Sequence, residues 1–94
     1  MLLEVSTLAI RAGNEQAFAE SMEQYGMPIL RAVPGVISAR YGRGVENPDK
    51  FTIMVEWENM DAHTAFRDLP VYPEFGKLFA PHTTGGAMEH FELV

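Results

Sequence analysis

Midway along the chain two β-rich runs are joined by a short turn, and this pairing constrains everything on either side of it. The runs are Gly35 to Glu46, "GVISARYGRGVE", and Phe51 to Trp57, "FTIMVEW", with "ENPDK" as the turn. Strands joined so tightly pair antiparallel. One helical pattern and one further β-rich run lie on each side. The preceding run is Leu2 to Arg11, "LLEVSTLAIR", which alternates imperfectly, as a central strand covered on both faces does. After "AGNEQ", with Asn14 as the expected N-cap, Ala17, Phe18, Met22 and Tyr25 fall at helical spacing. Gly26 and Pro28 predict a kink there, or a second short helix through Ile29, Leu30 and Val33. Beyond the hairpin, Asn59 is placed to cap a helix carrying Ala62, Ala65, Phe66 and Leu69, which Pro70 stops. "VYPEFGKLFA" predicts a short helix interrupted by proline, "PHTTGG" a loop, and Ala87 to Val94 a last strand. Gly42 and Gly44 predict a bulge or a close approach in the second strand.

The order is strand, helix, strand, strand, helix, strand: the split β-α-β arrangement of a ferredoxin-like α+β domain. With 94 residues it makes one domain, 1–94. Two helices cover one face of a four-stranded sheet. The other face needs apolar cover, which a second copy of the sheet supplies, so a homodimer is expected. Val5, Thr7, Phe51 and Ile53 are the expected apolar contributors to that face.

Composition narrows the function. The net charge is −6 and the seven Lys and Arg form no basic face, which argues against nucleic acid or an anionic membrane as partner. Without cysteine there is neither a disulfide nor a thiolate metal site. The opening "MLLEVS" lacks a basic leader region, and no apolar run reaches the roughly 20 residues of a membrane span, so a soluble cytoplasmic domain is expected. Six methionines and ten aromatic residues suit an apolar pocket or an oligomer interface.

Four stretches together resemble the antibiotic-biosynthesis monooxygenase family of dimeric α/β-barrel proteins, which includes quinol monooxygenases and haem-degrading enzymes. They are "LAIRAGNEQAF", "ILRAVPGVISARYGR", "FTIMVEWENMDAHTAF" and "MEHFELV". The resemblance implies a ferredoxin-like protomer, a homodimer whose sheets form a barrel, and a pocket between sheet and helices. Several members oxygenate phenols or hydroquinones without metal or flavin, because such substrates, once deprotonated, reduce O₂ themselves. Trp57 matches the tryptophan that commonly closes the third strand. Phe66 stands where many members have histidine or tryptophan. Ser6 falls near the first-strand asparagine of the haem degraders, and Gly76 near their iron-binding histidine. Glycine cannot ligate iron, so haem degradation is not implied and no cofactor is expected.

The expected substrate pocket is lined by Trp57, Phe66, Tyr72, Phe75, Phe79 and methionines, with Ser6 nearby and a small aromatic substrate. Trp57 reads most simply as a core or pocket-wall aromatic, and alternatively as a surface that stacks on a planar ligand; the two readings are compatible. His63 reads as a general base if it shares Phe66's side of the helix, and otherwise as a surface histidine. His82 reads as a solvent-facing loop residue. Glu89 and Glu92 are candidate partners for His90. The spacing 63, 82, 90 has no metal-site signature. Arg40 and Arg43 are candidates for an anionic substrate group, although strand arginines commonly only solvate a sheet. The leading reading is a cofactor-independent monooxygenase. The rival is a non-enzymatic binding protein, or a cyclase-like member of the same barrel class.

Overall fold

A computed structural model describes residues 1–94. The strands are β1 (Leu2–Ile10), β2 (Val36–Arg43), β3 (Lys50–Trp57) and β4 (Thr83–Glu92). They form one antiparallel sheet in the order β2-β3-β1-β4. The helices are α1 (Glu15–Ser21), α2 (Met27–Ala32), α3 (Met60–Phe66) and α4 (Val71–Gly76), and a π-helical turn, Met22–Gly26, joins α1 to α2. This is the expected ferredoxin-like order. No helix is long and apolar enough to cross a membrane.

The π turn answers the problem posed by Pro28. A proline removes one N–H and clashes with the carbonyl a turn back. Widening the preceding turn, so that Met27 N–H bonds Met22 C=O five residues back, keeps the segment continuous. Gly26 permits it: a Cβ there would lie 2.8 Å from the sulfur of fully buried Met22. Helix α2 ends because Val33 precedes Pro34 and is held extended (φ −72°, ψ 130°). Gly35 then turns with φ +90°, and a Cβ at that position would collide with the Ala62 side chain. The glycine thus seats α3 against the start of β2.

Parity along β3 is clean. Phe51, Ile53, Val55 and Trp57 are buried and face the helices, while Thr52, Met54 and Glu56 occupy the other face. On β1, Leu2, Glu4, Ser6 and Ile10 are buried on the helix side. Phe51 and Ile53 therefore belong to the protomer core and do not cover the open face. Val5 and Thr7 do lie there, joined by Leu3, Met54 and Phe91.

Other local expectations shift. Asn14 holds the N-cap position but its side chain makes no cap bond; its Nδ2 reaches Pro81 C=O at 3.3 Å and His82 Nδ1 at 3.2 Å. Asn59 does cap, its Oδ1 accepting from Ala62 N–H at 2.9 Å. Pro73 does not interrupt α4, because it sits in the first turn, where no N–H partner is needed. The last strand starts at Thr83, not Ala87. Ladder bonding to central β1 recruits "TTGG" despite its poor strand propensity, pairing Gly86 with Leu8. The second strand carries no bulge at Gly42; the irregularities lie at Val36/Ser38 and at Ala9/Ile10. Gly44 is a close approach, where a Cβ would strike the Asn47 carbonyl.

Candidate functional site

Between the sheet and helices α3 and α4 lies a cavity of about 400 Å³. His63, Trp57, Phe66, Tyr72, Phe75, Phe79 and Ser6 all line it. The strand-to-helix stretch "EWENMDAHTAF" supplies three of them, Trp57, His63 and Phe66. Trp57 ends β3 on the helix face, and Asn59 fixes the first turn of α3 three residues before Ala62. His63 and Phe66 then fall three apart on the buried side of α3.

The aromatic rings form a continuous run. Trp57 and Phe66 have centroids 6.0 Å apart, Phe66 meets Phe75 at 5.6 Å, and Phe75 meets Phe79 edge-on at 4.8 Å. Tyr72 stands edge-on to Phe66 at 5.0 Å and is partly exposed at the rim. Edge-to-face and tilted pairs of this kind hold the rings in place. Gly76 also lies in the wall and offers no side chain to ligate anything.

Within this apolar lining sits one polar cluster, and its centre is Glu4. Glu4 is 7% exposed. Trp57 Nε1–H donates to its Oε1 at 3.0 Å and Ser6 Oγ–H to its Oε2 at 3.2 Å. His63 Nδ1 lies 2.9 Å from Oε1, and His90 Nε2 lies 3.8 Å from the same oxygen. The imidazoles of His63 and His90 are 4.6 Å apart, and Trp57 stands edge-on to His63 at 5.3 Å.

His63 is thus no surface histidine. Burial pushes its imidazole below the ordinary value near 6.5; Glu4 on β1 opposes this, while His90 on β4 and Arg67, just past the end of α3, reinforce it. The sign for stability follows. Below about pH 6.5 the unfolded chain binds the proton at this position more readily than the folded one, so the contribution is complete above about 6.5 and is lost as pH falls toward the lower folded value. The urea midpoint should therefore drop between about pH 7.5 and 5.5, and His63→Gln should flatten that drop. An unchanged slope in the variant would place the titration elsewhere.

His90 pairs with neither Glu89 nor Glu92; it stands directly across the ladder from Glu4. Glu4 itself escapes a reading by motif, since a single acid in an apolar strand has no signature. The available signal was parity, which places position 4 with Leu2, Ser6 and Ile10 on the buried side. Arg67 lines the cavity one turn beyond His63, whereas Arg40 and Arg43 do not line it. His82 lies apart from the Glu4 cluster, beside Phe18 and Asn14.

The family profile described as antibiotic biosynthesis monooxygenase matches residues 1–78. YczJ of Bacillus subtilis (strain 168), an uncharacterized protein, is 32% identical over 96 residues, spanning the whole of both chains. Among solved structures, a candidate antibiotic biosynthesis monooxygenase from Bordetella bronchiseptica superposes with a TM-score of 0.89 at 24% identity, over 99% of this chain and 96% of that one. Another, from Deinococcus radiodurans, gives 0.85 at 17% identity, over 100% and 93%. The structural likenesses establish the fold, and the profile, with the full-length relative, establishes the descent: the chain belongs to the antibiotic biosynthesis monooxygenase family.

Proposed function

We propose that this protein is a cofactor-independent monooxygenase acting on a small phenolic or quinol-type aromatic. The observation that carries the reading is the buried Glu4–His63 pair in the wall of an otherwise aromatic cavity. A passive apolar binder has no need of a buried carboxylate against an imidazole, and burying such a pair costs free energy. Both ring nitrogens of His63 are buried without a hydrogen-bond partner, so the imidazole has a lone pair free to take a proton, and the Glu4 carboxylate 2.9 Å from Nδ1 supplies the charge that stabilises the imidazolium once formed.

The chemistry balances with O₂ as the only co-reactant. His63 takes the phenolic proton. The phenolate passes one electron to O₂, and the carbon radical and superoxide combine in a C–O bond. The peroxide O–O bond then breaks with loss of water, using the proton held on His63, while the ring C–H proton leaves and a quinone carbonyl forms. Trp57 and Phe66 supply flat surfaces for the ring, and exclusion of water strengthens the Glu4–His63 interaction. A planar phenol should quench the single tryptophan saturably and consume one O₂ per quinone formed in EDTA-treated protein. Saturable quenching with no O₂ uptake across a panel of hydroquinones and phenols would favour the binding reading.

We further propose that the active unit is a homodimer closed across the open sheet face. Leu3, Val5, Met54 and Phe91 would otherwise leave an apolar surface toward solvent, and large patches of that kind are rare on monomers. Sedimentation equilibrium at micromolar concentration should give twice the 10.5 kDa chain mass. A clean monomer there would remove the dimer.

A further inference from the structure

Glu4, His63 and His90 come from three different elements, β1, α3 and β4, yet one donor atom from each lies within 4.8 Å of the others. Proximity has not produced hydrogen bonds. His63 Nδ1 approaches Glu4 Oε1 to 2.9 Å but is not aligned for a bond, and His63 Nε2 and His90 Nε2 are likewise buried without partners. His63 is 7% exposed. Buried polar atoms are nearly always satisfied, and a knot of three that are not calls for a missing partner.

We propose that Glu4, His63 and His90 form a binding site for a divalent transition-metal ion of the zinc class. Two imidazole nitrogens and one carboxylate oxygen are a donor set of that class, with three protein ligands and an open position. Hard ions such as Mg²⁺ and Ca²⁺ prefer all-oxygen surroundings. Donors about 2.0–2.2 Å from a shared ion stand roughly 3–4 Å from one another, so the separations of 2.9 and 3.8 Å to Glu4 need only small adjustment. The carboxylate is already held as ligating carboxylates are: Trp57 N–H fixes Oε1 and Ser6 O–H fixes Oε2. Glu4 and His63 also line the cavity, so the cluster borders a space from which an ion or water can arrive.

The site has a consequence for the proposed oxygenation, and that consequence alone rests on the earlier reading. An ion on Nδ1 leaves the single imidazole proton on Nε2, turning the acceptor into a donor. Bound metal should then suppress base-dependent turnover, and chelation should restore it.

Chelator-stripped full-length protein titrated with Co²⁺ should develop visible d–d bands that saturate at one ion per chain, and Zn²⁺ should displace them. Glu4→Gln and His90→Asn should each weaken binding by more than the 10–100-fold typical of losing an outer-shell partner, while His82→Asn leaves it unchanged. Imidazole-nitrogen NMR reads the same site without any substitution. Zn²⁺ should move the resonances of His63 and His90 and leave those of His82 in place. Failure to saturate at one ion per chain, or shifts confined to His82, would overturn the site. Turnover by the stripped protein tests the oxygenation separately, since metal titration does not depend on it.

Discussion

Trp57→Ala should destabilise the chain by about 3–5 kcal/mol, the usual range for truncating a buried tryptophan. Trp57 is 1% exposed and packs on both His63 and Phe66. Its removal opens space in the core and strips an N–H donor from a carboxylate that is itself buried. Domains of this kind are stable by only about 5–15 kcal/mol, so the variant should be measurably unfolded well below the wild-type urea midpoint. Circular dichroism is the right probe, because the substitution deletes the only tryptophan. Trp57→Phe separates the two contributions. It keeps an aromatic ring but loses the bond to Glu4, and should cost about 1–3 kcal/mol. If Trp57→Phe were as damaging as Trp57→Ala, the hydrogen bond would outweigh the packing. If neither variant moved the midpoint by more than about 1 kcal/mol, Trp57 would not be the keystone of this wall.

His63→Ala should lower kcat by roughly 10²–10⁴-fold with a much smaller change in KM, as expected when a general base is removed and the binding surfaces remain. The aromatic side chains that line the cavity, Trp57, Phe66 and Phe75, are untouched by the change. Alanine also vacates space beside Trp57, so His63→Gln is the companion variant, filling that space without supplying a base. Both should share the kcat loss, and tryptophan quenching by the substrate should persist in both. A folded His63→Ala protein turning over at the wild-type rate would remove His63 from the mechanism and move attention to Glu4 or His90.

The element order and the aromatic wall were legible in the amino-acid sequence because both depend on short-range information. Periodicity of 2 or 3.6 shows within a single segment, and "ENPDK" marks a hairpin without reference to the rest of the chain. Asn59 could be identified as a cap from its position before an apolar helical run, and with it the direction of α3. Trp57, Phe66, Tyr72, Phe75 and Phe79 lie within 23 consecutive residues at the end of one strand, in the two helices that follow and in the turn after them, so one local stretch assembles most of the cavity wall.

The polar cluster could not be read this way. Glu4 meets His90 only because β1 pairs with β4 in a register that sets these two residues opposite each other. Register across 86 positions is a tertiary property, and a slip of one residue would send either side chain to the other face. The same parity moved Phe51 and Ile53 from the expected open face into the core, where one step along β3 decides between helices and solvent. His63 was ambiguous on its own helix, since positions flanking an apolar stripe can face either way until the helix is seated. Gly35, pressed against Ala62, does the seating. The chain determined by itself which segments are strands and helices and where the aromatics gather; only the sheet, with α3 packed on it, decided that a carboxylate and two histidines from three separate elements would share one buried corner of the cavity.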